Sequence, residues 1–163
     1  MDNAIELIKS DHRKVEQLYQ QYQGANGQPQ SKQSIIQEIC QALAIHAELE
    51  EDLFYPAVER QLGKDGLSLV KEALKEHSEM KRAIRQLQAR EFAGPECEQI
   101  FQDMIKGVQH HVKEEESEML PKAQQQLGAE IERLGAQMQQ YKQELQHTKR
   151  GPGSRKREAR LNQ

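Results

Sequence analysis

Six residues of this 163-residue chain have types and spacings suited to metal ligation: His12, His46, Glu50, His77, His111 and Glu115. His46 and Glu50 stand four residues apart, as do His111 and Glu115. On a helix, residues i and i+4 lie one turn apart on one face, so each His-x-x-x-Glu aims an imidazole and a carboxylate at the same point. Divalent transition metals accept those two donor types together. The set also repeats. His12 to His46 spans 34 residues and His77 to His111 spans 34, so a shift of 65 carries one half of the set onto the other.

Neighbouring residues keep the same register. His46-Ala47-Glu48-Leu49-Glu50-Glu51 leads to Pro56, and His111-Val112-Lys113-Glu114-Glu115-Glu116 leads to Pro121, while Asp11-His12 matches Glu76-His77. Each half supplies one lone His and one His-x-x-x-Glu, giving four imidazoles and two carboxylates. That number suits two metal ions, with the carboxylates free to bridge them and positions left open for a small ligand. Taken singly, His12 or His77 reads as a hydrogen-bonded core residue, and one His-x-x-x-Glu arises easily by chance in a Glu-rich chain. The repeated, inward-facing pattern carries the metal reading.

Other polar residues receive lesser roles. Glu51, Glu114 and Glu116 are expected toward solvent or behind the ligands, where a carboxylate receives the second ring N–H of a ligating His. His110 points about 100° away from His111 around the helix and reads as a non-ligand, although its five-residue step to Glu115 keeps it a candidate. His147 reads as surface. Tyr19, Tyr22 and Tyr55 read first as core or boundary aromatics and only then as donors to a bound ligand.

The elements that must position the six residues are helical. Ile5, Ile8, His12, Val15, Tyr19 and Tyr22 are spaced by threes and fours, as are Val70, Ala73, His77, Met80, Ile84 and Leu87. The same spacing runs through Ile36, Ile39, Leu43, His46, Glu50 and Leu53, and through Phe101, Met104, Val108, His111 and Glu115. Each is one stripe of an amphipathic helix, and the candidate ligands continue the apolar stripes into the core. Loops are expected at Gly24–Pro29, Gly63–Gly66 and Ala93–Pro95. Short connections make successive helices antiparallel. The fold expected is all-α, an up-down-up-down four-helix bundle over residues 1–126.

A fifth stripe, Leu127, Ile131, Leu134, Met138, Tyr141 and Leu145, predicts a further amphipathic helix over 127–148, broken from the fourth near Pro121 or Gly128. It either caps the bundle or pairs with another chain, and capping is preferred. Residues 149–163 read as a disordered basic tail. That tail carries six basic residues against Glu158, a net of +5, which leaves −8 on the other 148 residues of a chain whose net charge is −3. An acidic body argues against nucleic acid as the main partner.

Composition excludes other classes. Aromatic residues make up 4% and charged residues 30%, which disfavours a β-sandwich. The two cysteines, Cys40 and Cys97, lack redox or metal spacing and read as small core residues. No apolar run approaches the roughly 18 residues of a membrane span and no secretory signal opens the chain, so a cytoplasmic protein is expected.

At these residues the chain resembles the hemerythrin-like family of HHE cation-binding domains, over roughly residues 1 to 126. The resemblance implies a non-haem centre of two iron ions, bridged by both carboxylates and an oxo or hydroxo group, that reacts with oxygen, peroxide or nitric oxide. Zinc or manganese would also suit the donors. Oxygen-carrying hemerythrins place a second His one turn before the third-helix His; here that position is Ala73, and Lys81, one turn after His77, cannot replace it. The carboxylate step in the fourth helix is also shorter, with Glu in place of Asp. These departures imply an iron with more open positions, inclined to oxidation and peroxide chemistry over reversible oxygen carriage. Three readings follow: a di-iron protein that handles or senses these ligands or manages cytoplasmic iron, a catalase-like enzyme, and a helical interaction module with a structural metal whose C-terminal helix recruits a protein partner.

Overall fold

The computed structural model describes residues 3–148 and contains, among them, only helices and their connections. The basic tail expected from Lys149 onward lies outside the described residues. Helix α1 (Ala4–Gly24) opens with a capping box in which Asn3 and Glu6 satisfy each other's backbone N–H groups. Helix α2 (Pro29–Leu49) begins at a proline, where the missing N–H is no loss. Helix α4 (Pro95–Glu114) starts the same way after Gly94, whose φ of 98° suits only glycine well.

Helices α2 and α4 each end in a five-residue π-helical turn, Glu50–Phe54 and Glu115–Met119. Pro56 and Pro121 explain both turns. Each lacks a backbone N–H, and its ring would strike the carbonyl four residues back, so the local hydrogen bonds widen to i→i+5. The Tyr55 N–H accordingly donates to the Glu50 carbonyl and the Leu120 N–H to the Glu115 carbonyl. The extra residue slips the helical register. Phe54 and Tyr55 therefore take the core positions after Glu50, while Leu53, expected on the stripe, is only half-buried.

Helix α3 (Tyr55–Ala89) is two arms joined at Gly63, whose φ of 61° and ψ of −131° break the helix. The expected four-residue loop Gly63–Gly66 is thus a one-residue break. Gly66 is helical, and a Cβ there would lie 2.7 Å from the Val58 carbonyl oxygen, so close packing is what it provides. Helix α5 (Leu120–Leu127) ends at Gly128, with φ 54° and ψ −125°. The shift of 65 that relates the candidate ligands therefore also relates Gly63 to Gly128, in nearly the same conformation.

Helix α6 (Glu130–His147) follows Gly128 as the long arm of α3 follows Gly63. It packs on α1 and α2 and buries Ile131, Leu134, Met138 and Leu145 in the same apolar cluster as Ile5, Ile8, Leu49 and Phe54. Gly135 allows the close approach, since a Cβ there would stand 2.7 Å from backbone atoms of Asn3 and Ala4. Apolar packing falls into two clusters. One holds Ile8, Phe54, Val58, Val70, Leu120 and Met138, and the other Leu18, Ile39, Leu43, Ile84, Phe101 and Val108. The six candidate ligands lie in sequence between members of these clusters on all four bundle helices. Among the described residues no helix is long and apolar enough to cross a membrane.

Candidate metal centre

All six candidate ligands are buried, with Glu50 at 0% and Glu115 at 2% exposure. Donor atoms of His12, His46, Glu50 and Glu115 lie within 4.8 Å of one another, and those of Glu50, His77 and His111 form a second such group. Glu50 belongs to both. Its Oε1 lies 3.2 Å from His46 Nε2, 3.2 Å from His77 Nε2 and 3.9 Å from His111 Nε2. Glu115 reaches His12 Nε2 at 3.1 Å through Oε1 and His111 Nε2 at 3.3 Å through Oε2. Both carboxylates thus stand between the two halves of the site, Glu115 with one oxygen toward each side and Glu50 through Oε1 alone.

Every Nε2 faces this centre because every Nδ1 is held outside it. His12 Nδ1 meets Glu116 at 2.6 Å, His46 meets Asp11 at 2.9 Å, His77 meets Glu51 at 2.8 Å and His111 meets Glu76 at 2.8 Å. The four contacts obey the repeat: Asp11–His46 corresponds to Glu76–His111, and His77–Glu51 to His12–Glu116. A carboxylate at Nδ1 fixes the proton there and leaves the Nε2 lone pair pointing inward, the tautomer a metal ligand needs. Three of these carboxylates also meet a cation. Asp11 pairs with Lys142 of α6, Glu51 with Lys81 and Glu116 with Arg13.

Such an arrangement places nitrogen lone pairs against carboxylate oxygens, which repel unless a positive charge sits between them. Protons or metal ions can supply it. Burial alone would push His46 down, but Glu50 and Asp11 outweigh it and raise its pKa to about 10. His111 rises likewise to about 11, burial being overcome by Glu115 and Glu50. Burial opposes ionisation of Glu50 too, yet its imidazole neighbours hold it well below the usual carboxylate range. The buried His12 Nε2, His46 Nε2, Glu50 Oε2 and Glu115 Oε1 still have no hydrogen-bond partner. Leaving such groups unsatisfied costs about 1–3 kcal/mol each, more where charged. Four orphaned inward donor atoms, two of them on the shared carboxylates, fit a pair of cations.

Tyr55 completes the cluster. Its hydroxyl donates to Glu115 Oε2 at 2.6 Å, approaches Glu50 Oε1 at 3.1 Å and stands 3.3 Å from His77 Nε2. Burial and the two carboxylates push its pKa well above the ordinary phenol value, so Oη keeps its proton. The shift of 65 maps Tyr55 onto Leu120, so the two halves of the site differ here.

All six residues singled out from the sequence converge. Glu51 and Glu116 stand behind imidazoles as expected, whereas Glu114 pairs with exposed His110 at 3.1 Å. His110 stays outside the centre, as its angle on α4 implies. The sequence reading matched Asp11 with Glu76 but assigned them no role; their place beside lone histidines in the repeat was the available signal. From the sequence Tyr55 reads as a core aromatic, and nothing in the repeat marks it. Ala73, where oxygen carriers place a second His, is buried and apolar, and Lys81 is spent on Glu51.

Comparison with known proteins bears on what such a centre is. The family model described as the hemerythrin HHE cation binding domain matches residues 3–123. A curated relative named DNA nickase, from Nostoc sp. (strain PCC 7120), is 33% identical over 78% of this chain and 35% of its own length. An uncharacterized hemerythrin-like protein of Schizosaccharomyces pombe is 26% identical over 80% of this chain and 64% of its own. The chain thus spans about a third of the first and under two thirds of the second. Among solved structures, a hemerythrin HHE cation-binding domain-containing protein of Mycobacterium kansasii superposes with a TM-score of 0.73 at 26% identity, over 92% of this chain and 96% of that one.

Proposed function

The chain belongs to the hemerythrin HHE cation-binding family, and on that premise we propose that it is a non-haem di-iron protein that handles or senses oxygen, peroxide or nitric oxide, or manages iron. The observation that carries this reading is the set of orphaned inward donors, each imidazole among them backed by its own carboxylate. His12 and His46 would serve one ion, His77 and His111 the other, and Glu50 and Glu115 both. Six protein donors shared by two ions leave open positions, and bound iron would supply redox chemistry toward a small ligand placed there. The chain's own residues orient the imidazoles through Asp11, Glu51, Glu76 and Glu116, hold a proton at Tyr55 Oη, and keep the cluster between two apolar cores. Elemental analysis and near-ultraviolet absorption of protein isolated from iron-replete cells test it. About two irons per chain are expected, and colourless, iron-free protein would refute the reading.

Catalase-like decomposition of hydrogen peroxide is the second reading, favoured by two observations. Ala73 places no imidazole beside the site, and Tyr55 brings a phenolic proton within 2.6 Å of Glu115. Two peroxides yield dioxygen and two waters, so no outside reductant is required. Oxygen release from peroxide by the native protein, lost in Glu50→Ala, would support it; equal release by both would remove it. An interaction role for the C-terminal helix gains less support, because the apolar stripe of α6 is already buried within the chain.

A further inference from the structure

All four candidate imidazoles line one wall of a cleft of about 630 Å³. Its other walls are apolar: Val15, Leu43, Met80, Met104, Ile105 and Val108, all belonging to or packed against the second of the two apolar clusters. Dioxygen or hydrogen peroxide is little larger than water, whose share of volume is about 30 Å³. The cleft is therefore far larger than those ligands require, and falls in the range that encloses organic molecules.

The rim narrows the chemistry. Its exposed mouth carries Glu16, Glu79 and Asp103 against Arg13 and Lys113, while Asp11, Glu76 and Glu116 are taken up by the imidazoles they back. That mouth is net negative, so an anion entering from solvent is opposed there and a neutral molecule is not. Gly107 sits on the same rim, within α4, and a Cβ there would meet nothing within 4 Å. Glycine in a helix interior is unfavourable relative to alanine, and no neighbour demands one here. Its effect is to keep side-chain bulk out of the cleft's mouth.

We propose that this cleft binds a small uncharged organic molecule. The apolar body sits among Val15, Leu43, Met104 and Val108, with one hydroxyl or hydroperoxyl head turned toward the imidazole wall. The orientation of the head rests on the metal reading; the seat for the body does not.

The test uses 2-phenyl-2-propanol as the uncharged probe and benzoate as an anion of similar body, titrated calorimetrically into iron-loaded protein and into protein stripped of metal. The alcohol should saturate at one site per chain in both forms, and benzoate should bind more weakly by about tenfold or more. Gly107→Phe and Ala83→Phe, which add bulk at the rim and wall, should each weaken the alcohol by about tenfold with iron content unchanged. If one variant fails to fold, the other decides. Absence of saturable alcohol binding, equal affinity for benzoate, or undiminished binding in the folded Phe variants would overturn the proposal. Protein that takes up no iron yet binds the alcohol would sink the metal reading and spare the cleft, and iron-loaded protein that binds none would do the reverse.

Discussion

Neutralising the outer carboxylates one at a time should weaken metal binding unequally, in an order set by their second partners. Each of Asp11, Glu51, Glu76 and Glu116 stands 2.6–2.9 Å from the Nδ1 of one imidazole. Removing such a partner lowers metal affinity about 10- to 100-fold, or about 1.4–2.8 kcal/mol. Lys142, Lys81 and Arg13 already draw on the charge of Asp11, Glu51 and Glu116. Glu76 has a different second neighbour, the imidazole of His110 at 3.5 Å, so more of its charge polarises His111. Glu76→Gln should therefore fall near the hundredfold end and Asp11→Asn, Glu51→Gln and Glu116→Gln near the tenfold end. Competition for ferrous or cobaltous ion against a chromophoric chelator measures the four constants, with Glu79→Gln on the cleft rim as control. If Glu76→Gln proved the mildest of the four, or if all matched the control, the outer carboxylates would not tune the centre as argued.

Three further outcomes follow from the geometry. Gly135→Ala puts a Cβ 2.7 Å from backbone atoms of Asn3 and Ala4, so α6 must shift outward at a cost of about 1–3 kcal/mol, seen as a fall in unfolding temperature of about 2–4 °C per kcal/mol; an unchanged melting curve would mean α6 is not docked this way. In protein stripped of metal, the imidazoles of His46 and His111 keep their protons to about 10 and 11 against an ordinary 6.5. The stability they add is complete below the unfolded value and is lost as pH climbs through the folded ones. The stripped protein should therefore melt lower at pH 10 than at pH 7 while the loaded protein does not, and loading at pH 7 should release protons; a stripped protein whose melting point rises over that interval contradicts the assignment. Burial pushes the Cys40 thiol up to about 12 and Cys97 is 1% exposed, so a thiol reagent at pH 8 should leave the native chain unmodified and react with two thiols once it is unfolded.

The six central donors were legible because helical spacing and a 65-residue register act together on residues of unusual type. Polar positions on an apolar stripe need a partner, and four histidines in one register point to a shared one. The same register carries Asp11 to Glu76, Glu51 to Glu116 and Gly63 to Gly128, yet acidic residues and glycines are too common for spacing alone to give them roles. Tyr55 was beyond reach for a different reason. Its position depends on the π turn that Pro56 enforces, which moves the core face from Leu53 to Phe54 and Tyr55, and periodicity at 3.6 residues cannot foresee a one-residue slip. The glycines at 63 and 66 look like one loop on composition, but one supplies a break with positive φ and the other a close helix contact. The fifth stripe predicted α6, and the preference for capping within the chain agrees with where its apolar face lies. The break before it falls at Gly128, while Pro121 serves the π turn instead.

Anomalous diffraction collected at the iron absorption edge, from crystals of protein purified out of iron-replete cells, addresses the central claim most directly. Two peaks are predicted, one facing His12 and His46, the other facing His77 and His111, with Glu50 and Glu115 between them. A map without iron at these side chains, or with iron only at the outer group of Glu76, His110 and Glu114, would contradict the account.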